Sequence, residues 1–366
     1  MVSIANNTYS CASGETIYVG RTGAVPIAIF INGMSPGTWA EYTGTNINER
    51  VVYPDQPVQA DAPFSALESS ANLPFTAWAN KFAFDPVSKQ IGGIGTAQGY
   101  SSESPAGTHG KCLWFDLADN AFYQDWNPNG RNEGHIYDGT TSRALNGFIY
   151  HRGFGANIIH KCDVSTRVWS SSGLSWSGIY NADAAGLEVF PDKGENGSLF
   201  IVNGVANQGR VYSWDLATGT RTDYGENFDT GDYPIAFYCQ ALESIIFGGG
   251  STSTGKLYKF SKTGVITQIP TTFPVWMGSA NAGPFLPDPS GAAKAWFICH
   301  SLNKVFSVDL NTGTWTDHGA VPGGLSGNIS YCVGISLTGL GALALLWGSG
   351  RGGDGATYSK FWLYKV

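Results

Sequence analysis

Aromatic and polar side chains alternate in several glycine-rich segments of this chain, and this mixture could form a surface that binds carbohydrate. Flat apolar rings stack on sugar rings, while amide, carboxyl and guanidinium groups form hydrogen bonds with hydroxyls. The alternative for each single ring is that it packs between structural elements. The candidate ligand-binding residues are Tyr100, His109, Trp126, Arg131, His135, Trp176, Tyr180, Phe228, Trp276, Arg351 and Tyr358.

Paired carboxylates are a second kind of chemistry that these segments could support. A glycoside hydrolase places an acid and a base or nucleophile on either side of the bond that it cleaves. Glu133 with Asp229 or Asp232 could form such a pair, but no spacing distinguishes these acids from others in the chain. We therefore predict no catalytic residue, and a non-enzymatic function is favoured while an enzyme stays open.

Two short motifs are similar to phosphate and metal sites but lack essential residues. Residues 250–256, GSTSTGK, match most of a P-loop, but Leu257 stands where Ser or Thr is required, and a strand is predicted to follow instead of a helix. Residues 228–232, FDTGD, lack the spaced acids and the final Glu of an EF-hand loop. We predict no metal and no cofactor.

The candidate residues lie between copies of a hairpin that recurs along the chain. The clearest copy is KVFSVDLNTGTWTDHG from Lys304, and RVYSWDLATGTRTDYG from Arg210 and KCLWFDLADNAFYQDW from Lys111 follow the same pattern. Looser copies begin at Ile158 and Lys256. The residue that ends each first strand recurs every 46 to 52 residues, at Asp116, Asp163, Asp215, Ser261 and Asp309. A period of about 50 residues is typical of kelch-type propeller blades.

Each hairpin follows another apolar run, and several of these runs end in glycine. Examples are QIGGIG from Gln90, SIIFGGG from Ser244 and ALALLWGSG from Ala342. Glycine there can end a strand and let neighbouring backbones approach closely. Over about residues 75–366, the order of runs and hairpins resembles the kelch-repeat propellers, an architecture also found in the central domain of galactose oxidase. The resemblance implies an all-β fold of four-stranded blades around a central axis.

The resemblance to galactose oxidase would also imply a copper site, which needs two Tyr, two His and a Cys crosslinked to a Tyr. Among the six His residues, only His151 belongs to a Tyr-His pair, with Tyr150, and the corresponding loops of the next blades carry no second His. The sequence therefore argues against copper chemistry.

The segment SVDLNTGTW from Ser307 is similar to the Asp box of sialidases. It has two extra residues before Gly313, and in that family the box is a structural turn remote from the chemistry. The resemblance implies a site made of an arginine cluster, a tyrosine nucleophile and an acid. The candidates, which no spacing singles out, are Arg131, Arg152, Arg351, Tyr358, Glu133 and Asp354.

Both ends of the chain are predicted to contribute to one blade. The last hairpin copy stops at Val366 after a third strand, and SPGTWAEYTG from Ser35 repeats the pattern of an outer strand. We predict that this segment completes the last blade, because closure removes an open sheet edge. The predicted architecture is a β-propeller of six kelch-like four-stranded blades over residues 37–366, preceded by an extension over residues 1–36.

Seven blades stay open as an alternative, because residues 25–33, VPIAIFING, could form an additional inner strand. Within the extension, TIYVG from Thr16 and IAIFI from Ile27 are predicted strands. A segment of this kind, which the blades are predicted not to need, could tether the propeller to a larger assembly.

The six cysteines are spread at about one to a blade, and their placement argues against a disulfide framework. Five fall on predicted strands that face the core, where a free thiol acts as a small hydrophobic group. These are Cys112, Cys162, Cys239, Cys299 and Cys332. Cys11 lies in the N-terminal segment and is the exception that could pair with another chain.

The charge of the chain excludes some partners. Charged residues make up 13% of the chain, the formal net charge is -7, and no segment concentrates Lys or Arg. We therefore expect no nucleic-acid partner. No apolar stretch reaches the ~20 residues that cross a bilayer, and the first residues lack the basic and apolar regions of a secretory signal. We expect no membrane insertion, and synthesis in the cytoplasm without a signal peptide.

The favoured function is a non-enzymatic structural or binding propeller, similar in style to a bacteriophage virion component such as a tail-associated adhesin or decoration protein. Its expected location is the virion. Its expected partners are other virion proteins, through residues 1–36, and a cell-surface glycan, through the loop face. A carbohydrate-active enzyme of the sialidase or glycosidase kind and a cytoplasmic kelch-type interaction scaffold are the alternatives.

Overall fold

Short runs rich in β-branched and aromatic residues form antiparallel sheets in the computed structural model, as their strand propensity predicts. The structure describes residues 3–5, 8–10, 16–18, 25–42, 51–52, 81–94, 111–118, 121–126, 138–153, 158–176, 185–203, 209–230, 233–250, 255–274, 283–299, 301–322, 332–348 and 359–366.

Six sheets follow one another along the chain, and each is a blade whose strands run in sequence order from the inside outwards, except that the outer strand of blade 6 comes from the N-terminal part of the chain. Blade 1 contains β6 (Ala83–Asp85), β7 (Gln90–Ile94), β8 (Lys111–Asp116) and β9 (Ala121–Trp126). Blade 2 contains β10 (Phe148–His151), β11 (Ile158–Asp163) and β12 (Val168–Ser175). Blade 3 contains β13 (Ala185–Phe190), β14 (Ser198–Asn203), β15 (Gly209–Asp215) and β16 (Arg221–Phe228).

The remaining three blades have the same order. Blade 4 contains β17 (Ile235–Cys239), β18 (Ser244–Gly248), β19 (Lys256–Ser261) and β20 (Ile266–Thr272). Blade 5 contains β21 (Phe285–Pro287), β22 (Lys294–Cys299), β23 (Lys304–Asp309) and β24 (Trp315–Ala320). Blade 6 contains β25 (Cys332–Leu337), β26 (Ala342–Gly348), β27 (Ser359–Lys365) and β4 (Trp39–Glu41).

The innermost part of blade 2 is a segment over residues 139–145 that pairs with β10. Thr140 forms an antiparallel bridge with His151, and the N–H group of Thr141 donates to the carbonyl of Tyr150 at 3.0 Å. This segment completes the blade and lies beside β6, because Phe84 and Arg143 form a parallel bridge. The chain is therefore a six-bladed β-propeller.

Strand β4 closes the ring, as predicted from SPGTWAEYTG. Glu41, Ala40 and Trp39 pair in antiparallel register with Trp362, Leu363 and Tyr364. At the inner edge, Lys81 of blade 1 forms a parallel bridge with Gly334 of blade 6. The two ends of the chain thus meet in the outer part of blade 6, and blades 1 and 6 are joined at the axis.

The apolar run after Pro26 is a helix, so its prediction as a strand was wrong, and so was its possible role in a seventh blade. Helix α1 spans Ile27–Asn32. A run of six residues does not distinguish helix from strand by periodicity alone. Ile27 and Ile31, four residues apart, lie on one helix face, and both are fully buried in the hydrophobic cluster between blades 1 and 6.

Two small elements complete the described part. Strands β1 (Ser3–Ala5), β2 (Thr8–Ser10) and β3 (Thr16–Tyr18) form a separate antiparallel sheet, which includes the predicted strand TIYVG. Strand β5 (Val51–Val52) adds to the outer edge of blade 1, parallel to β9.

Apolar side chains fill the spaces between blades, so the inner strands are buried on both faces. Every residue of β13 and β14 is buried, whereas most of β24 is at least partly exposed. Between blades 3 and 4, Phe200 lies 5.3 Å from Phe247 and 5.1 Å from Phe260, measured between ring centroids. Adjacent blades stabilise one another through such contacts.

The recurring aspartates make the same turn in the hairpins of blades 2, 3 and 5. The Asp309 carboxylate accepts hydrogen bonds from the N–H groups of Asn311 and Thr312, and these bonds hold its pKa below the usual range, with the Thr312 N–H as the largest cause. Asp215 accepts the equivalent bonds from residues 217 and 218. The Asp-box-like pattern therefore specifies a turn.

Four of the cysteines, Cys162, Cys239, Cys299 and Cys332, are buried free thiols, which confirms the prediction for them. Cys11 and the side chain of Cys112 lie outside the described residues. Within the described ranges, no helix is both long and apolar enough to span a membrane.

Candidate functional site

Most residues of the predicted loop face lie outside the described part of the chain. These are Tyr100, His109, Arg131, His135, Tyr180, Trp276, Arg351 and Tyr358. Trp126 ends β9, but its side chain is not among those described. The same holds for Glu133, Asp232 and Asp354 of the hydrolase candidates. The loop face therefore stays a prediction.

Trp176 and Phe228 are described, and both pack between blades. The Trp176 ring is buried, stacks on Trp214 at 6.2 Å and lies 4.0 Å from the guanidinium carbon of Arg152. Phe228 is half-buried and lies 5.6 Å from Phe247, edge to face. These contacts match the packing interpretation that the sequence left open for single rings.

A buried ion cluster occupies the propeller axis, and none of its residues was predicted. Lys81 lies just before β6, and its ammonium donates to Asp138 Oδ2 at 2.7 Å, to the Leu187 carbonyl at 3.0 Å and to the Ala236 carbonyl. An ammonium has three N–H donors, so all are used. Because these acceptors belong to blades 2, 3 and 4, the Lys81 side chain spans the axis from blade 1.

Glu188 in β13 supplies a second carboxylate to this axial cluster. Its Oε2 lies 3.6 Å from Lys81 Nζ, and the carboxylate accepts hydrogen bonds from the N–H groups of Ser142 and Val189. The exposed fractions of the Lys81, Asp138 and Glu188 side chains are 1%, 2% and 0%. The axial cluster is therefore closed to solvent.

Desolvation dominates the electrostatics of Asp138. Burial raises its pKa to about 6, although the Lys81 ammonium and the Ala236 N–H group, which donates to Oδ2 at 2.7 Å, both lower it. Two carboxylates share one ammonium, so the second acid also raises the pKa of the first. Burial therefore makes the charged form of Asp138 less favourable in the folded protein than in the unfolded chain.

The arrangement has the oxygen-rich character of a cation site, with an internal ammonium as its cation. Two carboxylates and two carbonyls are ligands that hard metal ions also prefer, but each is within reach of Lys81 Nζ. Elsewhere in the described ranges, no group of three or more His, Cys, Asp or Glu side chains could hold a metal ion. The chemistry of the axial cluster is charge neutralisation inside the fold.

Comparison with known proteins does not show a family for this chain. No protein-family model and no curated protein sequence matches the chain. Regucalcin from Agrobacterium tumefaciens, described as calcium-binding, is 11% identical with a TM-score of 0.49 over 81% of this chain and 93% of its own. A luciferin-regenerating enzyme is 9% identical with a TM-score of 0.48 over 82% and 95%. A putative TolB, also from Agrobacterium tumefaciens, is 13% identical with a TM-score of 0.44 over 78% and 90%. We draw no functional argument from these similarities.

The raised pKa of Asp138 predicts a distinctive pH dependence of stability. The pKa is 3.8 for an ordinary aspartate and about 6 in the fold, so the folded state retains a proton that the unfolded state releases. The contribution of Asp138 to the free energy of unfolding is therefore full below about pH 4 and is lost as the pH rises through about 6. In Asp138→Asn this loss should be missing, which urea unfolding at a series of pH values can measure.

Asp309→Asn is the matched control, because the pKa of Asp309 is lowered in the fold. Its contribution has the opposite sign: it is present above the ordinary pKa and lost as the pH falls. If the stability difference between the native protein and Asp138→Asn were the same at about pH 4 and about pH 7, the assigned pKa of Asp138 would be wrong.

Proposed function

We propose that the protein is a non-enzymatic binding or structural propeller that serves as a component of a bacteriophage virion. The observation that carries the non-enzymatic part is the closed axial cluster. A glycosidase needs two carboxylates that face a space open to substrate. Asp138 and Glu188 do meet at the axis, but both are buried and share the Lys81 ammonium. Their geometry supports the fold instead of a reaction.

The proposed binding surface is the loop face, where the sequence places aromatic rings among Asn, Asp and Arg side chains. Rings of this kind suit a cell-surface glycan, because they stack on sugars at little entropic cost. The repeat period of about 50 residues is consistent with a kelch-like propeller, a class that also suits binding without catalysis.

The proposed contact with other virion proteins uses the N-terminal part of the chain that precedes α1. Helix α1 itself packs on the propeller through Ile27 and Ile31. Strands β1, β2 and β3, which precede α1, form a sheet of their own. Because α1 is part of the core, we propose that the contact expected of residues 1–36 is made by residues 1–24.

Immunogold labelling of gradient-purified particles from the source culture tests this proposal. We expect antibodies against the chain to label the particles, because a virion component is incorporated at assembly. A chain that stays in the soluble fraction while the particles are unlabelled would overturn the virion assignment. Turnover of sialosides or other glycosides by the purified chain, abolished in Asp229→Asn and retained in Asp309→Asn, would favour the enzyme alternative.

A further inference from the structure

A small pocket lies at the far end of the axis, where the inner strands finish. It has a volume of about 30 Å³ and is lined by residues of blades 2, 4, 5 and 6. Inner strands begin at the predicted loop face, so their ends reach the opposite face of the propeller. This axial pocket therefore lies apart from the loop-face candidates, and it adjoins the axial cluster through Ser142, whose N–H group donates to Glu188. Its volume suffices for about two water-sized groups.

Arg143 brings a positive charge to the axial pocket. The residue is half-buried at the end of the inner segment of blade 2, and its guanidinium carbon lies 5.2 Å from the centre of the Tyr238 ring. Among the described residues, Arg143 has no ion pair, and its buried Nε has no hydrogen-bond partner. A guanidinium carries five N–H donors, so this group can bind an acceptor without breaking an existing bond.

Two serine hydroxyls that line the axial pocket are also able to donate a hydrogen bond without breaking an existing one. Ser142 Oγ and Ser336 Oγ are buried and have no hydrogen-bond partner within the described part of the chain. Both residues are more than nine-tenths buried. A buried polar group without a partner costs free energy, and two of them beside a free guanidinium indicate that the pocket is built for something that accepts hydrogen bonds.

Asp288 also lines the axial pocket, but its carboxylate is already engaged. Oδ1 accepts hydrogen bonds from the N–H group and the hydroxyl of Ser290 at 2.9 and 2.5 Å. Oδ2 accepts one from Trp296 Nε1 at 2.8 Å. Asp288 therefore holds the turn after β21, and Arg143 stays available to a ligand.

We propose that the axial pocket binds a carboxylate group. A carboxylate is planar and offers acceptors only, which matches the donor fork of Arg143 and the hydroxyls of Ser142 and Ser336. The volume of the pocket admits the carboxylate and little more, so the ligand is either a very small acid or the end of a larger molecule. This assignment does not depend on the loop face or on the virion proposal.

The test uses the full chain and sodium acetate as the probe, with ligand-observed NMR at constant ionic strength. We expect the acetate methyl signal to broaden with the native protein, and acetamide and sodium chloride to give no competing effect. Arg143→Gln should weaken acetate binding at least about tenfold, because hydrogen bonds to charged groups are the strongest that such a site makes. Ser336→Ala, which keeps the guanidinium, should weaken it severalfold.

Arg221→Gln is the matched control. Arg221 also lies over a tyrosine ring, Tyr212, at 5.7 Å, but on β16 and away from the axial pocket. We expect this variant to bind acetate like the native protein. The proposal is overturned if acetate and acetamide bind equally, or if Arg143→Gln binds as the native protein does while its thermal unfolding shows that it is folded.

A second arm identifies the source of the carboxylate. A Gly-Gly peptide with a free C-terminus and the same peptide with an amidated C-terminus are titrated in parallel. Tighter binding of the free peptide than of acetate assigns the pocket to a chain end, and equal or weaker binding assigns it to a small acid. The absence of binding by both acetate and the free peptide contradicts the proposal.

Discussion

Replacement of Lys81 by methionine is expected to lower the free energy of unfolding by about 3–5 kcal/mol. Methionine retains most of the length of the side chain but removes the ammonium. Asp138 and Glu188 would then be two buried carboxylates without a cation, and the carbonyls of Leu187 and Ala236 would lose their donor. Urea unfolding at neutral pH, followed by tryptophan fluorescence, measures the loss.

Lys262→Met is the matched control for this prediction. Lys262 pairs with Glu243 at 2.7 Å, the same distance that separates Lys81 from Asp138. The two side chains of that surface pair are 55% and 57% exposed. We therefore expect its loss to change stability by at most about 1 kcal/mol. The two ion pairs have the same length, but Lys81 is buried and also bonds two carbonyls, so their comparison measures the contribution of the whole axial cluster against that of an exposed pair.

A triple variant distinguishes unpaired charge from lost packing. In Lys81→Met combined with Asp138→Asn and Glu188→Gln, the axis keeps its volume but carries no charge. We expect this variant to be more stable than Lys81→Met alone, because removing all members of a buried ionic group costs less than removing one. If Lys81→Met were no less stable than Lys262→Met, the axial cluster would not stabilise the fold.

The blade architecture could be predicted because each blade repeats local information. Asp215 and Asp309 make the same turn with their own following N–H groups, and Trp39 repeats the outer-strand pattern of Trp315. Such contacts span only a few residues or recur at a fixed period, so one sequence shows them.

The axial cluster could not be predicted in the same way, because its partners are far apart in the chain. Lys81 bonds to Asp138, 57 residues on, and to the carbonyl of Ala236, 155 residues on. One signal was present: Glu188 is the single charged residue of the otherwise apolar strand β13, AGLEVF. A lone charge on a buried strand needs a buried partner, but the sequence does not identify it.

Helix α1 is an element whose type was predicted wrongly, as a strand. The apolar run IAIFI is compatible with a buried strand and also with about one and a half turns of helix. No local feature of the sequence decides between the two. The decision comes from tertiary packing: Ile27 and Ile31 enter the cluster that contains Phe361 and Leu363 of β27. Phe30 also lies edge to face with Tyr42, at 5.2 Å between ring centroids. The same run that looked dispensable to the blades contributes to their core.

Deletion of residues 1–36 is therefore expected to destabilise the propeller strongly, whereas deletion of residues 1–24, with an initiator methionine supplied, should leave it folded. The longer deletion removes Ile27 and Ile31 from a closed core. Burial of an aliphatic side chain contributes about 1.5–3 kcal/mol, so the loss approaches about half the total stability of an ordinary domain. Thermal unfolding, measured by circular dichroism, compares the two proteins.

Deletion of residues 1–42 separates the contribution of α1 from that of blade closure. This variant also lacks β4, including the hydrogen bonds from Tyr42 N–H to the Phe361 carbonyl at 2.7 Å and from Lys365 N–H to the Thr38 carbonyl at 3.0 Å. It exposes the edge of β27, and an exposed edge favours association with other chains. We expect it to aggregate at concentrations where the protein lacking residues 1–24 stays monomeric in sedimentation. If all three deletions unfolded at the same temperature as the full chain, neither α1 nor β4 would stabilise the ring, and closure would depend on the Lys81–Gly334 contact at the axis.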